Sequence, residues 1–348
     1  MTGDPLLTLL RGGGPPPPGD PEWERLADQA VAEGATGTTL SLIARAGQLE
    51  NIPPAARSRL ESDLRSVRAS QTMLFSRFQD LSACLARAGV PFIVHKGGAL
   101  AVVAYPRPED RPMVDIDVIF RPTEWERVRD ALSAAGYRLP PGARQEFWLE
   151  NYFNLSVMSP GDPPSHFDLH WSLTQEGRYH VATEDLFSRA VPFEMGSTSL
   201  LRLGDEDLLL SLFLHLAYHY FEARLLWLYD MKLIIERWRI DWDRLFARAG
   251  QWGLLTVTAL NLEFVERTYP GTVPAGVLAR AKTGPLRRLA LRPLASSSPR
   301  HIFRGEDKRL NQFVLGLASI DRPGDAFKFA ADKVARSIRW MGRRPKRR

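Results

Sequence analysis

Two aspartates separated by one residue, Asp115 and Asp117, stand in the apolar stretch VDIDVIF. Side chains alternate between the two faces of a strand, so both carboxylates would project from one face while Ile116 points to the other. Two negative charges this close repel each other and raise the pKa of one carboxyl unless a cation lies between them. Mg²⁺ binds carboxylates together with substrate phosphates, and two such ions can hold the attacking and leaving oxygens of a phosphoryl transfer. The pair therefore indicates a metal–nucleotide site.

A Lys-Gly-Gly turn precedes this strand, at Lys96, Gly97 and Gly98. It joins a short predicted strand, FIVH, to a predicted helix. Glycines at such a turn let backbone N–H groups approach a phosphate closely, and the helix N-terminus adds a favourable dipole. Lys96 can neutralise phosphate charge. A Gly-Gly turn alone is weak support, but the Asp-x-Asp strand that follows makes these three residues candidate phosphate ligands.

A third carboxylate, Asp168, stands in another alternating stretch, SHFDLHWSL. It would share a strand face with His170, whereas Phe167 and Leu169 would face the core. Asp168 is a candidate bridging metal ligand, or the base that takes a proton from an attacking hydroxyl. The alternative is an ordinary polar residue on a half-exposed strand. His170 is likewise either a site residue or a structural histidine.

The combined pattern resembles the bacterial "uncharacterised nucleotidyltransferase" family of the DNA-polymerase-β-like nucleotidyltransferase superfamily. The resemblance covers about residues 70–315. The residues that carry it are Lys96-Gly97-Gly98, Leu100, Tyr105-Pro106, Arg111-Pro112-Met113, Asp115-Ile116-Asp117 and Asp168-Leu169-His170-Trp171.

This resemblance implies an α+β fold, in which a small mixed sheet flanked by helices forms the nucleotidyltransferase core. It implies that Asp115, Asp117 and Asp168 hold Mg²⁺, with Mn²⁺ as the alternative ion. The implied reaction transfers a nucleoside monophosphate from an NTP, expected to be ATP, to a hydroxyl or phosphate of an acceptor and releases pyrophosphate. Gly98 departs from the Gly-Ser turn usual in the superfamily, so a hydroxyl contact to phosphate is lost.

Arg111 lies four residues before Asp115, in the segment that leads into the acid strand. It could grip the γ-phosphate as a forked donor. It could equally pair with its neighbours Glu109 or Asp110 on the surface. The sequence leaves both interpretations open.

Further candidates on the acceptor side of the site, or supporting the metal ligands, are His170, Asp230 and Lys232. Asp230 could instead cap a helix or pair with an arginine. His215 and His219 have the spacing of a zinc pair, but the glutamate of a His-Glu-x-x-His site is missing. Packing or a hydrogen bond near the acceptor is the favoured interpretation of these two histidines.

Composition divides the chain of 348 residues into five predicted segments. The stretch RGGGPPPPGDPE can neither continue a helix nor pair as a strand, so residues 1–20 are predicted to be disordered. The remaining segments are an N-terminal helical region at 21–90, the nucleotidyltransferase core at 91–203, a helical acceptor or accessory domain at 204–320 and a basic amphipathic tail at 321–348.

Alternation of apolar and polar residues predicts core strands in FIVH, VDIDVIF, FWLENYFNLSVM and SHFDLHWSL, and a hairpin in VPFEMGSTSLLRL. Thr123 is the predicted N-cap of a helix after the acid strand. Helices dominate from Asp205 onward. The aromatic residues Trp227, Trp238 and Trp242 are predicted to belong to the core of that helical part rather than to a stacking surface.

The formal net charge of +6 is concentrated at the C-terminus. The last thirteen residues, RSIRWMGRRPKRR, hold seven Lys and Arg, and the rest of the chain has 39 basic against 40 acidic residues. Apolar residues at helical spacing from Phe327 to Met341 predict an amphipathic helix there. It is either a docked helix with a solvated end or a contact for an acidic partner, an RNA or a membrane surface.

A single cysteine, Cys84, excludes an internal disulfide framework and fits a reducing compartment. The N-terminal LLTLL is too short for a signal peptide, and the longest apolar stretch is too short to span a bilayer. A cytoplasmic protein without stable membrane insertion is expected.

These observations lead to the hypothesis of a Mg²⁺-dependent nucleotidyltransferase with an unidentified acceptor, which is a small molecule, a peptide or an RNA. Two alternatives stay open. One is a degenerate relative that binds nucleotide without turnover or presents helices to a partner. The other is a toxin-like enzyme that acts on tRNA, for which the basic tail is the only local indication.

Overall fold

A mixed sheet lies at the centre of the computed structural model, which describes residues 4–175, 177–220, 224–281, 284 and 308–331. Within these residues, six strands pair in the order β3-β4-β2-β1-β6-β5. The strands are β1 Phe92–His95, β2 Asp115–Phe120, β3 Asn154–Met158, β4 His166–His170, β5 Val191–Met195 and β6 Thr198–Arg202. The predicted α+β class is confirmed.

Both kinds of strand pairing occur in this sheet. β2 lies between β1, to which it is antiparallel, and β4, to which it is parallel. β1 and β6 are also parallel, while β3/β4 and β5/β6 are antiparallel pairs. The hairpin predicted from VPFEMGSTSLLRL is the β5/β6 pair. The acid strand β2 is therefore an interior strand with neighbours on both sides.

Helices precede, interrupt and follow the sheet. In chain order they are α1 Pro5–Leu10, α2 Glu22–Glu33, α3 Thr36–Arg45, α4 Pro54–Arg87, α5 Lys96–Val103, α6 Trp125–Ala134, α7 Gly142–Asn151, α8 Thr183–Ser188, α9 Asp205–Tyr218, α10 Leu225–Arg237, α11 Trp242–Trp252, α12 Leu255–Thr268, α13 Ala275–Arg280 and α14 Lys308–Ala318. Residues 323–331 are also helical.

Local sequence signals account for the ends of several helices. Pro54 opens α4 at a position where no N–H donor is needed. Asp241 caps α11 by accepting a hydrogen bond from the Arg244 N–H, and Gly253 closes that helix in the left-handed conformation with φ of 76°. Local sequence therefore determines where α4 begins and where α11 begins and ends.

The two faces of the sheet belong to different cores. Ile116, Val118 and Phe120 of β2 pack into one core with the second half of α4 and with α6. Ile119, on the face shared with the aspartates, packs into the other core with α1–α3 and α9–α12. The carboxylates therefore lie at one end of a face whose other end is covered by the helical parts of the chain.

The N-terminus differs from the predicted disorder of residues 1–20. Pro5–Leu10 form helix α1, capped by Asp4 and packed against α2 and α3 with Leu6, Leu9 and Leu10 buried. The Arg11 guanidinium also donates to the Thr268 carbonyl at 2.6 Å. The proline-rich stretch does stay outside regular structure, but the apolar LLTLL before it buries enough surface to order the segment.

Two local predictions in the core region were also wrong. FWLENYFNLSVM was predicted to be one strand, but its first half belongs to α7 and β3 begins only at Asn154. Apolar and polar residues alternate in register with the sheet only from that point, with Leu155 and Val157 buried. Thr123 is not an N-cap, because Pro122–Glu124 form a 3₁₀ turn and α6 begins directly after it, at Trp125, without a side-chain cap.

Of the basic amphipathic tail predicted at 321–348, residues 323–331 are helical, and residues 332–348 lie outside the described residues. Among the residues that the structure does describe, no helix is both long enough and apolar enough to cross a bilayer.

Candidate active site

Three polar side chains stand in a row across neighbouring strands. Asp117 on β2 lies opposite His95 on β1 and opposite Asp168 on β4. Residues in register on adjacent strands project from the same face, so the pairing brings the two carboxylates together. Ligand atoms of Asp117, Asp168 and His170 all lie within 4.8 Å of one another. Two acids that are far apart in the chain thus meet at one point of the sheet.

Asp117 is the most strongly bound of these carboxylates. Its Oδ1 accepts from Lys96 Nζ at 2.6 Å and lies 2.8 Å from His170 Nε2. Burial by itself would raise the pKa of Asp117, but the Lys96 charge and the His170 hydrogen bond hold that pKa well below its usual value. Asp117 is therefore a buried carboxylate that stays ionised.

Asp115 has the opposite electrostatic behaviour. It begins β2, where it pairs with His166 and remains partly exposed. Burial, followed by the charges of Asp117 and Asp168, raises the pKa of Asp115 to about 6. Such mutual repulsion of neighbouring carboxylates is the condition that a bound cation relieves.

The arrangement fits a divalent cation. Carboxylate oxygens are ligands for Mg²⁺ and Mn²⁺, and an imidazole nitrogen suits Mn²⁺ and other transition ions. Asp117, Asp168 and His170 supply these donor types within one small volume. Asn154 supports the set by donating from Nδ2 to Asp168 Oδ2 at 3.3 Å. Of the three acids predicted to hold metal, two meet directly, while Asp115 lies beside them and feels both charges.

The Lys-Gly-Gly turn is the first turn of α5, directly after β1. Lys96 has a φ of 47°, a left-handed conformation uncommon outside glycine. His95, the N-cap, makes no side-chain hydrogen bond to the helix, so the first-turn N–H groups have no side-chain cap. Lys96 and Gly97 line the same pocket as the acids. Their position fits an anion at the helix N-terminus.

Gly98 also has a packing reason to be glycine. A Cβ at this position would lie 2.8 Å from Ile116 Cγ2 and 3.1 Å from Val94 Cγ1. The residue is therefore held close to the strands beneath it. At Gly97 an added Cβ would meet Met113 Sδ only at 3.6 Å, an ordinary contact distance. The absence of serine at position 98 is explained by packing of α5 on the sheet.

Arg111 does not pair with Glu109 or Asp110, which was one of its two predicted interpretations. Its Nε lies 2.9 and 3.0 Å from the two carboxylate oxygens of Asp230 on α10, and its Nη2 lies 2.8 Å from Oδ2. The Tyr105 hydroxyl donates to the same carboxylate at 2.6 Å. Glu109 instead pairs with Arg68. The long-range pair forms because all three groups are buried and need partners.

Arg111 still borders the pocket through its guanidinium. Its Nη1 donates to the Pro112 carbonyl at 2.9 Å and lies 3.7 Å from the position of a Cβ at Gly97. The predicted pairing of Asp230 with an arginine is the alternative that the structure contains. Lys232 pairs with Glu236 at 2.6 Å and lies outside the pocket lining formed by the described residues.

These residues surround a pocket of about 750 Å³. One part of its lining comes from α4, including Ser70 and Gln71, and another from α9 and α10, including His215, His219 and Trp227. Sequence reasoning missed Gln71 and Asn154 at this site, because neither belongs to a motif. The two histidines contact the indole of Trp227, with ring centroids 4.6 and 4.9 Å away.

Comparison with known proteins gives one family. A family model described as "uncharacterised nucleotidyltransferase" matches residues 19–270, which include the sheet and all residues of the pocket. No curated protein and no solved structure gave a significant match.

Proposed function

The chain belongs to the uncharacterised nucleotidyltransferase family, and from this we propose that it transfers a nucleoside monophosphate from an NTP to an acceptor hydroxyl or phosphate. Pyrophosphate leaves in this reaction, and ATP is the expected nucleotide. The bond that forms joins the acceptor oxygen to the α-phosphorus, and the bond that breaks is the one to the β-phosphate bridging oxygen.

The observation that carries this proposal is the pairing of Asp117 with Asp168 next to the Lys96-Gly97 turn. The turn supplies N–H donors and a lysine for phosphate, and the two acids supply ligands for a cation, within one pocket. The groups that can bind an anion and those that can bind a cation are in contact. The pocket therefore suits a metal–nucleotide complex better than a metal ion or an anion alone.

The roles of the residues follow from this arrangement. A divalent ion, when bound, neutralises the charge that develops on the phosphoryl oxygens. Asp117 and Asp168 would hold it, with His170 fixing the orientation of the Asp117 carboxylate or adding a nitrogen ligand. Lys96, which pairs with Asp117, would contact a phosphate of the nucleotide. Positioning and electrostatic stabilisation would supply most of the rate enhancement.

Measuring which phosphate is transferred tests the proposal. The purified protein is incubated with Mg²⁺ or Mn²⁺, fractions of small molecules, peptides and tRNA, and ATP labelled on either the α- or the γ-phosphate. Label from the α-position should appear in an acceptor, and label from the γ-position should appear in pyrophosphate. Transfer of the γ-label to an acceptor would identify a kinase and overturn the proposal. Binding of ATP without release of pyrophosphate in any fraction would favour a nucleotide-binding module.

A further inference from the structure

A band of aromatic rings lines one side of the pocket. His215, Tyr218 and His219 lie at the C-terminal end of α9, Trp227 lies in the first turn of α10, and Phe153 precedes β3. The rings contact one another: the Phe153 and Tyr218 centroids are 5.0 Å apart, and the His215 and Trp227 centroids are 4.6 Å apart. The rings therefore form two contacting groups, Phe153 with Tyr218 and Trp227 with the two histidines, which adjoin at the end of α9.

The band begins beside the acids. Phe153 contacts the ring of His170, which in turn binds Asp117. His215 is close enough to Lys96 and Asp117 for their charges to act on it. The band reaches the exterior at His219, which is exposed. It thus leads from the acid cluster towards the mouth of the pocket.

The rest of the described lining offers a different surface. The part contributed by α4 and by the segment before β2 includes Val67, Ser70, Gln71, Pro112, Met113 and Val114, beside the Arg111 guanidinium that is bound to Asp230. These side chains can pack against a ligand or form hydrogen bonds, but none of them is aromatic. Of these two parts of the described lining, only the band therefore offers aromatic rings to a planar group.

We propose that this band, centred on Trp227, is the subsite that stacks the base of the bound nucleotide. The proposal rests on the proposed function, which places the α-phosphate at the acids. The base of a nucleotide is separated from its α-phosphate by a single ribose, so it must lie on a wall next to the acids, and the band is such a wall. Stacking uses the face of a base and not its edges, so the subsite tolerates different bases.

The Trp227 indole does not serve only to pack the core. Trp227 is only partly buried, and it meets the His215 and His219 rings at angles of 67° and 54° rather than in a parallel stack. The Arg224 guanidinium lies 6.0 Å from its ring centre, where a cation adds attraction to an aromatic site. These contacts hold the ring in place at the pocket surface.

Titration of two ligands separates the base subsite from the phosphate subsite. ATP and inorganic tripolyphosphate, each with Mg²⁺, are titrated into wild-type protein and the Trp227→Leu variant by calorimetry. Loss of stacking should weaken ATP binding about 5- to 150-fold. Tripolyphosphate binding should not change, because it has no base. Trp227→Phe keeps a stacking ring and should retain most of the ATP affinity.

A matched control and a second variant keep the test decisive. Trp238→Leu removes the same side chain at the end of α10, where Trp238 packs against Arg202 outside the pocket lining, and should leave both affinities unchanged. His219→Ala removes an exposed ring of the band without emptying the core, and should weaken ATP binding alone. Equal ATP affinity in wild type, Trp227→Leu and His219→Ala would overturn the base subsite. Failure of the wild-type protein to bind either ligand would overturn the proposed function itself.

Discussion

Asp230 on α10 binds Arg111 through both of its carboxylate oxygens, with the Arg111 Nε 2.9 and 3.0 Å away. The pair joins a helix of the C-terminal part to the segment that leads into the acid strand. Tyr105, just beyond α5, donates to the same carboxylate. The end of α5, the segment before β2 and the helical part of the chain are therefore tied together at one buried point.

Asp230→Asn should destabilise the protein by about 3–5 kcal/mol, because it leaves the buried Arg111 guanidinium without a compensating charge. The change is measured as the free energy of unfolding in urea. Tyr105→Phe should cost less, about 1 kcal/mol, since only one hydrogen bond to the carboxylate is lost. Lys232→Ala is the control on the same helix, and it should cost about 1 kcal/mol or less, because its pair with Glu236 lies near the surface. Equal effects of Asp230→Asn and Lys232→Ala would contradict this role.

Gly98→Ala should destabilise the protein, because the new methyl group would lie 2.8 Å from Ile116 Cγ2. Overpacking of this kind costs about 1–3 kcal/mol. Gly97→Ala is the matched control one residue earlier, where the nearest atom, Met113 Sδ, is 3.6 Å away. It should change the unfolding free energy by no more than about 1 kcal/mol. If thermal unfolding showed the two variants to be equally stable, α5 would not be held against the sheet as described.

Stability of the metal-free protein should depend on Asp115 in mildly acidic solution. Its pKa is raised to about 6 in the folded chain, mainly by burial and then by the charges of Asp117 and Asp168. Between about pH 4 and 6 the folded state consequently binds more protons than the unfolded state, so the unfolding free energy falls as pH rises through this window. Above it no further loss from this group is expected.

The Asp115→Asn side chain cannot ionise, so in the presence of a chelator this variant should lack the fall of about 3 kcal/mol that Asp115 causes. Urea unfolding at a series of pH values measures the difference. Asp130→Asn, at an exposed position of α6, should keep the wild-type profile. A parallel profile for wild type and Asp115→Asn would show that the Asp115 carboxyl is not held near its neighbours. The pKa of Asp117 is lowered by folding, so its contribution to the unfolding free energy is lost as pH falls. This loss occurs only at a pH below the Asp115 window.

Much of the sheet and part of the site were predictable from local pattern. Alternation in VDIDVIF and SHFDLHWSL predicted β2 and β4, and a shared face for Asp115 and Asp117. The register that places Asp117 opposite Asp168 could not be predicted, because it depends on how two distant strands pair. Similarity to the nucleotidyltransferase family, and not residue spacing, implied that Asp168 acts together with Asp115 and Asp117.

Contacts between distant segments account for the remaining differences. The only protein partners predicted for Arg111 were its chain neighbours Glu109 and Asp110, whereas its actual partner, Asp230, comes from a helix of the other half of the chain. Trp227 was predicted to be core, and it does pack against the helical core, but it also lines the pocket. Helical periodicity reports which face is apolar and cannot say whether that face borders a cavity. The N-terminal helix α1 was missed because its six residues are stabilised by burial against α2 and α3.

Transfer of α-labelled phosphate from ATP by wild type, Asp117→Asn and Asp168→Asn tests the central claim most directly. Asparagine keeps the size of each side chain but removes the charge that would hold a cation. Both variants should lose at least about 100-fold in transfer. They should remain folded, as judged by circular dichroism, and Asp130→Asn should transfer label at the wild-type rate. Undiminished transfer by folded Asp117→Asn or Asp168→Asn would contradict a nucleotidyl-transfer centre built on these carboxylates.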